Sequence, residues 1–151
     1  MSAHAQNIQK SAQKIKARMG RFSPKIAVLL GSGLGGIADT VAKPLFRISY
    51  KDLPGFPLLT VAGHAGEIVG GRIGKNDVLF LKGRQHFYET DDATPLKTLI
   101  RTMKALGVET LFLTAASGSL MAKARPGSLM VISDHINYMG FNPLVGRNDD
   151  D

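Results

Sequence analysis

The residue types best suited to chemistry sit together in one short stretch, Gly83-Arg84-Gln85-His86-Phe87-Tyr88-Glu89, directly behind the apolar run Val78-Leu79-Phe80-Leu81 and Lys82. It holds a guanidinium, an imidazole, a phenol and a carboxylate. A guanidinium fork is the preferred side chain for bidentate capture of phosphate. A neighbouring imidazole can add a hydrogen bond or exchange a proton near neutral pH. The apolar run has the composition of a buried strand. If that strand continues through Glu89, Arg84, His86 and Tyr88 share one face, and Gln85, Phe87 and Glu89 share the other. A solvated strand end has the same composition, so the stretch must be weighed with the rest of the chain.

A second candidate is Gly31-Ser32-Gly33-Leu34-Gly35-Gly36, which follows the apolar run Lys25-Ile26-Ala27-Val28-Leu29-Leu30. Gly31, Gly33 and Gly36 fit the G-x-G-x-x-G pattern. Glycines allow close backbone approach to an anion, and a following helix presents free N–H groups. Three readings stay open here. The run can bind a dinucleotide, with Asp52 near the offset of a ribose-binding acid. It can bind a single phosphate through the Ser32 hydroxyl. It can also be a strand–helix turn with no ligand. Asp52 precedes Leu53-Pro54-Gly55, a turn signal that speaks against the dinucleotide reading.

The elements that must position these residues are legible in the patterning. Ile8, Ala12, Ile15 and Met19 form an apolar stripe at helical spacing over residues 3–19, and Gly20 is a stop signal. A short helix from Ile37 to Val41 follows the glycine run. Phe46 to Tyr50 alternates like an exposed or edge strand, and a Pro- and Gly-rich loop runs from Asp52 to Pro57. Gly63-His64-Ala65-Gly66 lies between two strand-like runs. Glu67 to Ile73 and Asp77 to Leu81 flank Gly74-Lys75-Asn76, a hairpin signal. Thr94 is placed as an N-cap with Pro95 at the first helical position. Leu96, Leu99, Ile100, Met103 and Leu106 form a core stripe closed by Gly107. Thr110 to Thr114 reads as a buried strand ending in the small-residue turn Ala115-Ala116-Ser117-Gly118-Ser119. Leu129-Met130-Val131-Ile132 reads as a further strand, ending in Ser133-Asp134-His135-Ile136-Asn137. Helices alternating with apolar strands predict an α/β fold with a mixed or parallel sheet. Ligands in that class bind beyond the C-terminal strand ends. Ser32, Arg84, Ala116 and His135 each follow a strand-like run.

The composition narrows the function classes. The chain has 151 residues, within the range of one domain, and a formal net charge of +7. The charge favours anionic ligands, with Lys10, Lys14, Lys16, Arg18, Arg21 and Lys25 near the N-terminus. No aromatic–basic interleaving or zinc-ligand spacing marks a nucleic-acid module, so nucleic acid is not the expected partner. There is no cysteine, which excludes disulfide scaffolds and thiolate sites. No apolar run reaches the roughly 18 residues of a membrane span. No signal-peptide core appears at the N-terminus, and a cytoplasmic protein is expected.

Taken in order, these motifs resemble one family, the trimeric purine nucleoside phosphorylases, including inosine–guanosine and xanthosine phosphorylases. The resemblance rests on Leu30-Gly31-Ser32-Gly33-Leu34-Gly35, Gly63-His64-Ala65-Gly66, Gly83 to Glu89, the turn after Thr114, and Ser133 to Asn137 running on to Asn142-Pro143-Leu144. It implies a three-layer α/β fold with a mixed central sheet, and phosphorolysis of purine nucleosides to free base and ribose 1-phosphate. The implied phosphate ligands are Ser32, Arg84, His86, the backbone N–H at Ala116 and, on the phosphate side, His64. Tyr88 would meet the ribose. His86 and Glu89 would form the catalytic pair, with Glu89 orienting His86. Inorganic phosphate is the implied co-substrate, with no metal or other cofactor, and the implied assembly is a homo-oligomer, a trimer.

Three positions depart from the family pattern. Its Thr-Asn-Ala-Ala-Gly is Thr114-Ala115-Ala116-Ser117-Gly118 here, its Tyr-Glu-Gly is Tyr88-Glu89-Thr90, and its Gly-Pro-Asn-Asp is Gly146-Arg147-Asn148-Asp149. If the replaced glycine needs a positive φ, Thr90 tolerates it poorly. The resemblance covers residues 20–149, while family members continue further with the residues that hold the purine. The expectation is therefore an N-terminal helix, 1–20, and the N-terminal portion of a catalytic domain, 21–151. It would carry most of a phosphate site and little of a base site, with an uncovered strand edge and apolar surface. A phosphate-binding or regulatory chain without turnover is the alternative function, and a dinucleotide-binding domain a more remote one.

Overall fold

A computed structural model of the chain describes residues 2–40, 43–59 and 65–145. The chain divides into two units, Met1–Ala116 and Ser117–Asp151. The first carries all the helices and strands found among the described residues. Its helices are α1 (Ala3–Met19), α2 (Ile37–Thr40) and α3 (Thr94–Ala105). Its strands are β1 (Ile26–Leu30), β2 (Lys43–Ser49), β3 (Glu67–Ile73), β4 (Asn76–Lys82) and β5 (Thr110–Leu113). The strands form one mixed sheet in the order β2-β3-β4-β1-β5. β1 runs parallel to β4 and β5, whereas β2, β3 and β4 form an antiparallel meander.

Period-two alternation sorts the apolar side chains onto two faces of this sheet. Ala27, Leu29, Ile68, Leu79 and Leu81 join the core that includes Ala12 and Ile15 of α1 and Leu99, Met103 and Leu106 around α3. Val78, Phe80, Leu30 and Val69 point the other way and meet Ala38 of α2. The expected three layers are therefore present, but unequal. Two long helices cover one face, and the other is met by a helix of four residues.

Several local expectations hold for identifiable reasons. The α1 stripe buries Ala12 and Ile15, Ser2 Oγ accepts the Ala5 N–H at 3.3 Å, and Gly20 ends the helix at φ +54°. β2 is an edge strand, as its alternation predicts. The hairpin turn between Ile73 and Asn76 places Gly74 at φ +58°. Gly70 has a different purpose. It lies opposite Phe46, and a Cβ there would stand 2.2 Å from the ring, so the glycine gives the aromatic ring a seat on the sheet.

Four expectations need correction. The strand of the phosphate-type motif does not run on to Glu89: β4 stops at Lys82, and Phe87–Glu89 is a 3₁₀ turn. The helix predicted to start from an N-cap at Thr94 begins one residue sooner. Thr94 is already helical, Ala93 occupies the cap without a side-chain bond, and Asp92 Oδ1 accepts the Thr94 N–H at 2.8 Å. The carboxylate two residues ahead supplies the acceptor that the Thr94 hydroxyl was expected to provide. β5 is a strand but not a buried one, because it lies at the sheet edge. Phe112 and Leu113 are 58% and 65% exposed.

Finally, Leu129 to Ile132 is not a strand, and its four side chains are exposed. The described residues of the second unit contain turns, bends and irregular segments only, tied locally by contacts such as Met139 N–H to Asn137 Oδ1 at 3.1 Å. A β-branched apolar segment becomes a strand only when a neighbouring strand takes up its backbone N–H and C=O groups. No such ladder forms among the described residues of this unit. His135 therefore does not follow a strand.

Two measurements probe this architecture. Gly70→Val should destabilise the chain by about 1–3 kcal/mol in urea unfolding, because its branched side chain enters the Phe46 ring position. Pairing it with Phe46→Ala should recover part of that loss. The second concerns acid. The Arg72 guanidinium, with the Ser23 N–H, holds the Asp77 carboxyl below its ordinary value of 3.8. The Thr94 N–H does the same for Asp92. A folded-state pKa below the unfolded value gives stability that is complete above 3.8 and fades as pH falls through the folded value. Unfolding midpoints measured from about pH 6 to about pH 3 should drop, and Asp77→Asn should flatten that drop.

Candidate phosphate site

The parallel register sets the ends of three strands level. Leu30 pairs with Lys82 across β1 and β4, and Leu29 pairs with Leu113 across β1 and β5. The segments that leave those ends carry Ser32, Arg84 and Ala116, so the topology delivers all three to one edge of the sheet. β3 begins at this edge too, since Glu67 pairs with Lys82. Gly66, just before it, donates its N–H to Lys82 O at 2.9 Å. His64 and the Gly146–Asp149 segment lie outside the described residues.

Thr114 is the joint between these segments. Its N–H and its hydroxyl both donate to Leu29 O at 3.0 Å, and its Oγ1 accepts the Gly31 N–H at 2.9 Å. Its carbonyl accepts from Arg84 Nη1 at 3.0 Å. One residue thus ties the ends of β1 and β5 to the guanidinium that follows β4. Gly31 is required by the same closeness: a Cβ there would stand 2.6 Å from Thr114 O, a backbone atom that cannot swing aside. Gly33 takes φ +80° in the turn that follows, and Ser32 is exposed on it.

The Gly83–Glu89 stretch is arranged by its turn, which brings together two residues that a continued strand would separate. Glu89 Oε1 accepts the His86 N–H at 2.8 Å and lies 2.9 Å from His86 Nδ1. The carboxylate is 9% exposed and the imidazole 25%. With Nδ1–H donated to the carboxylate, the ring orientation is fixed and Nε2 is the nitrogen turned to other partners. The Tyr88 ring stacks on His86 with centroids 5.1 Å apart and an interplanar angle of 16°. Behind the turn, buried Tyr50 donates to Gly83 O at 3.0 Å. Burial, with the nearby Glu67 charge, raises the Tyr50 phenol far above its ordinary value and keeps it a donor. The concern over Thr90 is also resolved. The positive φ in this loop is at Asp91, +51°, not at Thr90. Asp and Asn are among the residues that tolerate that region best.

The sequence reading missed a ring of charges beside the site. Lys82 Nζ donates to Asp39 Oδ2 at 3.0 Å and to Glu67 Oε1 at 2.9 Å. Arg47 closes the ring, with Nη1 on Glu67 Oε1 at 2.8 Å and Nη2 on Asp39 Oδ1. Burial works to lower the Lys82 pKa, but the bonds to Glu67 and Asp39 outweigh it and raise the value. Hydrogen bonds from Arg47, then Lys82, hold Asp39 below the ordinary carboxylate value. A signal was available: a lysine that ends an apolar run must be paired if it is buried. Among the described residues, no cluster of three or more His, Cys, Asp or Glu side chains could hold a metal ion. Nor is any helix long and apolar enough to cross a membrane.

Comparison with known proteins identifies the family and the fold. The sequence pattern of the phosphorylase superfamily matches residues 25–150. Purine nucleoside phosphorylase 1 of Bacillus subtilis (strain 168) is 46% identical over 144 residues, covering 95% of this chain and 52% of its own length. The Rattus norvegicus purine nucleoside phosphorylase is 37% identical over 148 residues, covering 96% of this chain and 50% of its own. A crystal structure of isoform 2 of the enzyme from Schistosoma mansoni, in complex with cytosine and ribose-1-phosphate, superposes with a TM-score of 0.83 at 36% identity. That match covers 96% of this chain and 51% of the other. A mixed α/β sheet with level parallel strand ends defines the class of fold, and the chain belongs to the purine nucleoside phosphorylase family of the phosphorylase superfamily. It spans about half the length of these relatives.

The Thr114 joint is open to direct test. Thr114→Val removes the hydroxyl and leaves the Gly31 N–H without that acceptor, and should cost about 1–3 kcal/mol in urea unfolding. Thr114→Ser keeps the hydroxyl and should recover much of the loss.

Proposed function

We propose that this chain supplies the phosphate-binding half of a purine nucleoside phosphorylase site. Ser32, Arg84, His86 and the Ala116 N–H hold inorganic phosphate, with His64 on the same side. Tyr88 meets the ribose, and Glu89 orients His86. The observation that carries the reading is the level register of β1, β4 and β5, which sends the segments bearing Ser32, Arg84 and Ala116 to one sheet edge. The ribose-1-phosphate in the Schistosoma mansoni complex has the phosphate and sugar that such a site would handle.

In the proposed reaction a phosphate oxygen attacks C1′ as the C1′–N bond to the base breaks. The bond electrons leave with the base, which takes up a proton. Charge develops on the sugar, so a dianion held beneath C1′ lowers the barrier by proximity and by electrostatics. The protein's task at this half is to fix the phosphate, which Arg84 serves as a fork and the Glu89–His86 pair as an oriented donor. Groups that recognise the purine belong, on this reading, to the length of the relatives that this chain does not span. Residues 1–151 act as one portion of that domain, working in the cytoplasm within a trimeric assembly.

The dinucleotide reading loses ground on geometry. Asp52 lies in a 3₁₀ turn after the antiparallel edge strand β2, and its backbone oxygen accepts from Lys14 Nζ at 2.6 Å. It does not sit at the tip of a parallel strand, where a ribose-binding acid is placed.

The test is phosphorolysis of inosine by the intact 151-residue chain, with and without phosphate, alongside a phosphate titration by calorimetry. Phosphate-dependent hypoxanthine release is expected if this chain completes the chemistry. Phosphate binding without release would favour a phosphate-binding chain without turnover. Arg84→Ala should abolish phosphate binding, and unchanged affinity would overturn that assignment.

A further inference from the structure

The charge ring stands on the thinly covered face of the sheet. Lys82 continues the parity of Val78 and Phe80, and Glu67 that of Val69, so both point toward the face that α2 covers. Arg47 lies opposite Val69 and shares that face. Ala38 is the buried residue of α2, and a methyl group anchors little. Asp39, the next residue, bridges Lys82 of β4 and Arg47 of β2. Three of the ring's four members also adjoin a candidate phosphate segment. Asp39 follows the glycine run, Glu67 follows Ala65-Gly66, and Lys82 precedes Gly83-Arg84. Gly35 also approaches Lys82, since a Cβ there would lie 3.8 Å from Lys82 Cε. The ring carries two positive and two negative charges, so it adds no net attraction for an anion. Its lysine, with the side chain 10% exposed, is engaged by carboxylates.

We infer that Asp39 and Lys82 are positioning residues, and that the Asp39–Arg47–Glu67–Lys82 ring tethers the glycine run and the Gly83–Arg84 segment to each other so that phosphate meets an assembled site. A four-residue helix with one buried alanine has little apolar hold on a sheet. Charge-assisted bonds supply the missing anchor, and Lys82 transmits it because its backbone leads directly into Gly83 and Arg84. Removing Asp39 leaves Lys82 and Arg47 to share Glu67, and removing Lys82 leaves Asp39 and Glu67 to share Arg47, so either loss breaks the balance of charge in the ring. The segments should then loosen together rather than one at a time. This inference rests on the phosphate reading above for its consequence, but not for the tether itself.

The experiment uses the full chain with Asp39→Asn, Lys82→Met, the double variant and an Asp77→Asn control. Asp77 pairs with Arg72 at the other end of β4 and touches none of the three segments. Amide hydrogen exchange without phosphate reads the tether, and calorimetric titration with inorganic phosphate reads the site. Each ring variant should speed exchange in residues 31–40, 65–67 and 83–86 while sparing the core of α3. Each should also weaken phosphate binding by at least about tenfold, the order expected when a group is displaced from its working position. The double variant should cost no more than the worse single one, because the two residues act as a unit. The control should change neither readout beyond its effect on unfolding.

Unaltered exchange in the ring variants would overturn the tether, whatever phosphate does. Faster exchange with unchanged phosphate affinity would overturn the link from the ring to binding. Faster exchange in the ring variants, with a parent chain that binds no phosphate, would uphold the tether and overturn both the phosphate reading and the ring's part in binding.

Discussion

The structure depends on a close approach between two backbones at the ends of β1 and β5. Gly31 and Thr114 stand so near that a methyl group at position 31 would collide with a carbonyl. Thr114 turns this closeness into bonds, holding Leu29 O and the Gly31 N–H on one side and Arg84 on the other. With those ends level, the segments leaving three parallel strands arrive at one edge. A gap between the backbones would move Arg84 away from the segment that bears Ala116. The arrangement therefore rests on the absence of a side chain as much as on the presence of polar ones.

The rest of the first unit supports that edge from behind. α1 and α3 bury one sheet face with Ile15, Leu99 and Met103, and Tyr50 reaches through to hold Gly83 O. On the opposite face the helix that meets the sheet is the four-residue α2. There the apolar pattern of β4 ends in Lys82, and charged bonds replace hydrocarbon contacts as the link between α2 and the sheet. Paired charges are directional where apolar packing is not. A face built in this way can be thin and still place its segments in register.

Glu89 and His86 show how a small change of backbone alters the chemistry of a motif. On an extended strand they would face opposite ways. In the 3₁₀ turn they are neighbours, and the carboxylate meets both the backbone N–H and the ring of the histidine. The turn therefore converts two separate polar residues into one oriented donor. It also brings the Tyr88 ring alongside the imidazole.

Much of this was legible in the residues. Helical spacing marked α1 and α3, alternation marked the edge strand β2, and Gly74 marked the hairpin, because local sterics and burial act within a few residues. The order of the motifs pointed to the family. Pairing was not legible. Leu129 to Ile132 read as a strand and Thr110 to Thr114 as a buried one. One found no ladder, and the other found an edge position that leaves Phe112 exposed. The 3₁₀ turn was hidden for a related reason: two hydrogen bonds accepted by one carboxylate, not a propensity, favour it. The charge ring joins residues from positions 39, 47, 67 and 82, and no local window contains them together. Sequence alone determined the helices and most strands of the first unit and which polar side chains lie near one another in the chain. The tertiary structure decided which strand ends come level and which charges are used up in holding them, because those outcomes depend on contacts between segments far apart in the chain.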